Sequence, residues 1–435
     1  MNLIKKIKRA VCLAGAGIFM CSGFFGCGKK GLPLDAEHGI ADQSNLFGMC
    51  YLLEERSAES LDIQTEVQLM KNLGVKTVRQ WMHFTHFMSS PTELIQNCET
   101  TENMHKLLAE CEEAGMVNIG MNHHNFCTTR AKASPTAKPF ARDVSEGSEY
   151  VQWLNDYYES WKTLVGEFPE VMYWEIDNEV NNPDFMTDGG DKGSSAYSVK
   201  QMAEIATDMF YYATRAIHEV NPKAQSIMGG LTEPTGLGKG NTANFLQMLY
   251  DNIASGEYGY FYGIEDSSDA SKKPDDYFQI ACWHPYMSNF NKQHFIDINN
   301  EYYEIILRNE GKHKKVFFTE IGWNDDAIGG EAVSVDFTEQ MYDALKSMPY
   351  VRRRTCSNCT ITARKTTGTD RRICISGFST IPILRMFILP ANRARKRSIS
   401  TRTGTAYPGR PRTELMNISG WRAAAEVWSS WRKSD

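Results

Sequence analysis

The 435-residue sequence contains no 20–50-residue internal repeat, which excludes a solenoid or a propeller. Its N-terminal apolar run, Ala10 to Phe25, is too short to span a bilayer as a helix. No glycine-rich loop follows the first candidate strand. "LFGMCYLLEER" (46–56) lacks the phosphate-binding turn of an open, doubly wound nucleotide-binding sheet. A disulfide framework is also missing. Of 11 cysteines, Cys12, Cys21 and Cys27 lie near the N-terminus and Cys356, Cys359 and Cys374 in the C-terminal segment. The remaining Cys50, Cys98, Cys111, Cys127 and Cys282 are odd in number and irregular in spacing, as expected of small buried side chains. The Cys356–Cys359 pair has no second pair to complete a metal site. Positive charge is scarce in the body: residues 1–350 hold 29 Lys+Arg against 49 Asp+Glu, which argues against nucleic acid as a partner.

What is present is ample for a core, with 42% hydrophobic and 11% aromatic residues. The N-terminus has a basic start (Lys5, Lys6, Lys8, Arg9), then the apolar run, then "FFGC" and "GKKG". This resembles a bacterial lipoprotein signal over 1–27, with Cys27 as the lipidated residue and 28–44 as a linker. The expected location is extracytoplasmic, on a membrane surface held by the lipid. The alternative is an ordinary cleaved signal and a secreted protein.

From residue 45 short apolar runs alternate with longer amphipathic ones. Strands are expected at 46–50, 76–81, 116–124, 171–176, 224–230, 277–286 and 315–323. Helices are expected at 61–74, 101–115, 148–168, 198–220, 244–255, 295–311 and 336–348, several closing on glycine. Seven β-then-α units with an eighth strand due after Tyr350 imply an α/β fold, a (β/α)8 TIM barrel over 45–350.

In such barrels chemistry sits at the C-terminal ends of the strands. Strand two ends in Arg79, Trp81 and His83, and strand three in Asn122, His123 and His124. Strand four ends in Asp177, Asn178 and Glu179, strand six in Trp283, His284 and Tyr286, and strand seven in Glu320 and Trp323. Charge at the end of a buried strand is costly unless it is used. Two carboxylates across a barrel mouth suit glycoside hydrolysis, one protonated to donate and one ionised to attack. Burial is expected to raise the donor's pKa. The tryptophans Trp81, Trp283 and Trp323 are candidate sugar platforms.

"WEIDNEV" and "FFTEIGW" resemble the two carboxylate motifs of clan A, the large barrel clan of retaining glycosidases. The resemblance implies Glu179 as acid/base and Glu320 as nucleophile. It places Arg79 and Asn178 beside them, His123 or His124 on strand three, and His284 with Tyr286 on strand six. Val180 stands where the clan commonly has Pro, and the clan's strand-eight Trp has no counterpart. Glu175 and Asp177 are expected to be structural. His123, His124 and His284 are expected to hydrogen-bond sugar and nucleophile rather than a metal, and no cofactor is implied. The function implied is retaining hydrolysis of β-linked poly- or oligosaccharides. Endo-acting glucanase or mannanase and exo-acting xylosidase chemistry stay open, because specificity lies in loops such as 182–196 and 256–276. The alternative is a non-catalytic, surface-anchored sugar-binding lipoprotein on a decayed barrel.

The segment 351–435 breaks the pattern. It holds 18 Lys+Arg against 4 Asp+Glu and shows no core periodicity. Back-translated and shifted by one base, residues 355–400 permit an apolar-aromatic strand followed by acidic sequence and no forced stop. The segment is therefore expected to be a frameshifted tail that corrupts strand eight and helix eight and leaves the barrel open. The alternative is a basic tail for an anionic surface.

Overall fold

The computed structural model describes residues 46–51, 53, 62–126, 135–139, 141–188, 197–233, 242–262, 270–323, 325–356, 360–365 and 371–376. The signal, Cys27, the linker and the tail beyond 376 lie outside them, as do the loop segments 189–196 and 263–269.

Eight parallel strands form a closed barrel. In chain order these are β1 (Gly48–Tyr51), β2 (Thr77–Trp81), β5 (Val117–Asn122), β6 (Tyr173–Asn178), β7 (Gln225–Thr232), β8 (Ile280–His284), β9 (Lys315–Ile321) and β10 (Val351–Cys356). A small hairpin of β3 (Met88–Ser90) and β4 (Glu93–Leu94) follows β2. Between the strands run α1 (Ile63–Asn72), α2 (Phe84–Phe87), α3 (Glu99–Glu113), α4 (Glu149–Glu167), α5 (Val199–Val220), α6 (Thr242–Ser255), α7 (Lys292–Glu310), α8 (Asp325–Ile328) and α9 (Glu331–Leu345). The helices start where the sequence supplies caps. Ser148 accepts from Val151 N–H, and Ser198 forms a reciprocal capping box with Gln201. None of the described helices is long and apolar enough to cross a membrane.

The strands pair in register around the barrel: Arg79 with Ile119, Met121 with Glu175, Asn178 with Gly230, and Thr232 with His284. This brings the strand ends to one rim. Side chains alternate, so Trp174 turns outward and meets Trp161 of α4 edge-on at 5.8 Å. Glu175, next to it, turns into the barrel.

The expectation of an open barrel is corrected by β10, which pairs with β9 and, at Cys356, with Met49 of β1. Backbone pairing does not depend on apolar side chains, and two of the strand's three arginines, Arg353 and Arg354, find aromatic partners. Arg353 donates to Thr77 Oγ1 at 2.8 Å and lies over Tyr173. Arg354 is buried on the outer face, its guanidinium 4.0 Å from the ring centre of Tyr342. Among the described residues no helix follows β10. The next elements are an antiparallel pair, β11 (Thr360–Lys365) and β12 (Arg371–Ser376).

Candidate active site

Arg79 on β2 organises the rim. It is fully buried, and an unpaired guanidinium there would be costly. Its Nε and Nη2 donate to the two oxygens of Glu175 at 2.7 and 3.0 Å. Nη2 also donates to Asn178 Oδ1 at 2.8 Å, and Nη1 to Glu320 Oε1 at 2.6 Å. Tyr286 O–H donates to the other Glu320 oxygen at 2.7 Å. Both oxygens of Glu320 are thus fixed.

His284 on β8 lies between the two strand-end carboxylates. Its Nδ1 is 3.0 Å from Glu179 Oε1 and 3.9 Å from Glu320 Oε2. Its Nε2 is 3.0 Å from Thr319 Oγ1, which donates to Glu175 Oε1 at 2.9 Å. Space for the ring comes from Gly230, where an added Cβ would lie 2.1 Å from Nε2. One oxygen each of Glu179 and Glu320 and the His284 nitrogen all lie within 4.8 Å of one another.

The charges follow from these contacts. Burial opposes the ionised form of Glu175, but Arg79 and His284 outweigh it and bring the carboxyl down to about 2. Burial likewise opposes a charged His284. The negative charge of Glu320 and the bonds to Cys282, Glu175 and Glu179 nevertheless raise it well above the ordinary imidazole range. The expected rise at Glu179 is not found. Burial acts in that direction, but hydrogen bonding from His284 and Asn182 lowers the carboxyl.

Residues 38–357 match the family described as "Cellulase (glycosyl hydrolase family 5)". The chain belongs to glycosyl hydrolase family 5. No curated protein matches it. Among solved structures, the virulence factor SghA from Agrobacterium tumefaciens shares 12% identity, covering 77% of this chain and 92% of that one, with a TM-score of 0.49. The SghA complex with its substrate analog salicin gives 11%, 79%, 93% and 0.50. PbGH5A, a family 5 enzyme from Prevotella bryantii B14, gives 12%, 74%, 92% and 0.46.

This family 5 glycoside hydrolase gathers Arg79, Asn178, Glu179, His284, Tyr286 and Glu320 into one cluster. Four other expected site residues stand differently. Trp283 is not a platform. Cys282 and His284 face inward, so Trp283 faces outward, where its indole donates to Asn299 Oδ1 at 2.6 Å beneath α7. Trp323 is 7% exposed; it donates to Met287 O and packs on Phe290 and Phe337. It braces the loop carrying Tyr286 rather than offering an open face. His124 is turned away, with Nδ1 2.5 Å from Thr85 Oγ1. His123 joins a cluster with His83, 4.1 Å between ring centres, beside the half-buried Trp81. Burial and the neighbouring imidazoles hold His83 and His123 well below their usual range.

Ring nitrogens of His83, His123 and His124 lie within 4.8 Å of one another. The His83 and His124 rings are stacked at 4.0 Å and 25°, so their in-plane lone pairs run side by side instead of converging on one ion. The Glu179–His284–Glu320 set has metal-ligand chemistry as well, but Arg79, Tyr286 and Asn182 already engage its carboxylates. Sequence reading missed Thr319, Asn182 and Lys138. Thr319 precedes Glu320 in the quoted motif, and its position was the available signal. Asn182 and Lys138 sit in loops without periodicity.

Proposed function

We propose that this glycoside hydrolase cleaves β-linked poly- or oligosaccharides with retention, using Glu320 as nucleophile and Glu179 as acid/base. The carrying observation is the approach of an oxygen of Glu179 to one of Glu320 within 4.8 Å. That fits the roughly 5–5.5 Å carboxyl separation of retaining enzymes and leaves too little room for the water that inverting enzymes place between carboxyls about 6.5–9.5 Å apart.

His284 supplies the proton. Glu175, Glu179 and Glu320 face Arg79 and His284, and with all five ionised one negative charge is in excess. The proton that Glu179 donates comes from His284 Nδ1, 3.0 Å away. As Glu320 bonds to the anomeric carbon, its charge is consumed and its hold on the imidazolium weakens. The C–O bond to the leaving group breaks as the His284 proton passes to Glu179 and on to that oxygen, leaving His284 neutral and Glu179 ionised. In the second half Glu179 takes a proton from water and passes it to neutral His284. The water oxygen then bonds to the anomeric carbon and frees Glu320. Turnover of an aryl β-glycoside panel by wild type, lost in Glu320→Ala, is the expected result. Equal turnover by both favours the non-catalytic sugar binder.

The same reading places the enzyme outside the cytoplasm, anchored through lipid at Cys27. Loss of membrane association in Cys27→Ala is expected, and unchanged association contradicts it. The C-terminal segment 351–435 is read as a frameshifted tail, and Arg354, a guanidinium buried on the outer wall, supports that reading. Resequencing that returns this same frame contradicts it.

A further inference from the structure

Glu179 sits on strained backbone. Asp177 has φ +69° and Glu179 φ +45°, neither being glycine, so two residues flanking Asn178 occupy the left-handed region. Such a turn persists only if its surroundings hold it. Asp177 Oδ1 accepts from the N–H of Asn178 at 2.7 Å, closing the turn on itself. Its other oxygen is 2.8 Å from Lys138 Nζ, and both side chains are buried, with 0% and 1% of their surface exposed.

Lys138 is held on three sides. Two of its three N–H donors reach the carbonyls of Thr136 (3.2 Å) and Phe185 (3.1 Å), and its charge is paired with Asp177 Oδ2 at 2.8 Å, an ion pair without hydrogen-bond geometry. The Lys138 N–H donates to Thr187 O at 2.9 Å. Phe185 in turn belongs to the turn that begins at Glu179. Asn182 N–H donates to Glu179 O at 2.7 Å, Asn182 Nδ2 donates to Glu179 Oε2 at 2.9 Å, and Phe185 N–H donates to Asn182 O at 3.0 Å. One cation therefore joins the residue before Asn178 to the loop that holds the Glu179 carboxylate.

We propose that Lys138 and Asp177 are positioning residues that set the aim of Glu179 as proton donor. The pair touches no reacting atom. It acts by fixing the turn on which Glu179 stands, so its loss moves the acid while Glu320, held by Arg79 and Tyr286, stays in place. This rests on the assignment of Glu179 as acid/base given above.

A displaced acid has a signature that general loosening lacks. A leaving group of low pKa departs without protonation, and one of high pKa does not. The test compares kcat/KM, which reports only the half up to formation of the glycosyl-enzyme, for a dinitrophenyl and a phenyl β-glycoside of the same sugar in wild type, Lys138→Met and Lys138→Met/Asp177→Asn. The double variant leaves no unpaired charge at this pair and serves if the single one does not fold. Full loss of acid catalysis costs about 10²–10⁴-fold, so a displaced acid is expected to lower kcat/KM for the phenyl glycoside at least about tenfold more than for the dinitrophenyl glycoside. Equal losses on both glycosides, or no loss on either, overturn the positioning role while the hydrolase reading stands. A wild type inert on both contradicts the assignment of Glu179 and the positioning role with it.

Discussion

Replacing Glu175 by Gln tests the electrostatics of the rim without changing its shape. Glu175 is fully buried and titrates near 2 against an ordinary 4.5. At about 1.4 kcal/mol per pH unit, that depression corresponds to about 3 kcal/mol favouring the folded state. Because the folded pKa is the lower one, the contribution is complete above pH 4.5 and is lost as pH falls from 4.5 toward about 2. Glu175→Gln deletes it and leaves Arg79 balanced by Glu320 alone, a loss in the range of about 3–5 kcal/mol known for broken buried pairs. Denaturant unfolding of both proteins at pH 7 and pH 3 reads the effect. The gap at pH 7 is expected to be about 3 kcal/mol or more, and the pH-linked part should shrink by about half at pH 3. An equal gap at the two pH values refutes the coupling of Glu175 to Arg79.

Three further outcomes are expected. Gly230→Ala puts a Cβ 2.1 Å from His284 Nε2 and swings the ring off Glu179 and Thr319; kcat falls about a hundredfold, measured on an aryl β-glycoside, with the fold retained by circular dichroism. His284 is raised well above the ordinary 6.5, so the alkaline limb of kcat against pH lies above 6.5 and moves or vanishes in His284→Asn. Arg354→Leu leaves the unfolding midpoint unchanged or higher, since a guanidinium packed against Tyr342 and Phe47 is replaced by a side chain suited to that setting.

The barrel was legible because its strands and helices differ in period, and because caps such as Ser148 and Ser198 mark where helices begin. Arg79, Glu179 and Glu320 were legible as charge at the ends of buried strands. Trp283 was misplaced by one step of strand parity, which sequence shows only when an inward neighbour such as His284 is already assigned. The eighth strand was due after Tyr350 but read as corrupted, because Arg353 and Arg354 look unfit for a wall, although long cationic side chains cover aromatic rings well. Lys138 is distant in sequence from Asp177 and carries no pattern; only the folded chain joins them. The lowered Glu179 could not be foreseen either, because its cause is the placing of His284 on another strand.

The most direct test of the account is the anomer first released from a β-glycoside, followed by proton NMR in the opening minutes of the reaction. With Glu179 and Glu320 oxygens within 4.8 Å of one another, the β-anomer is expected first, with mutarotation to α later. Initial release of the α-anomer contradicts nucleophilic attack by Glu320 and the mechanism built on it.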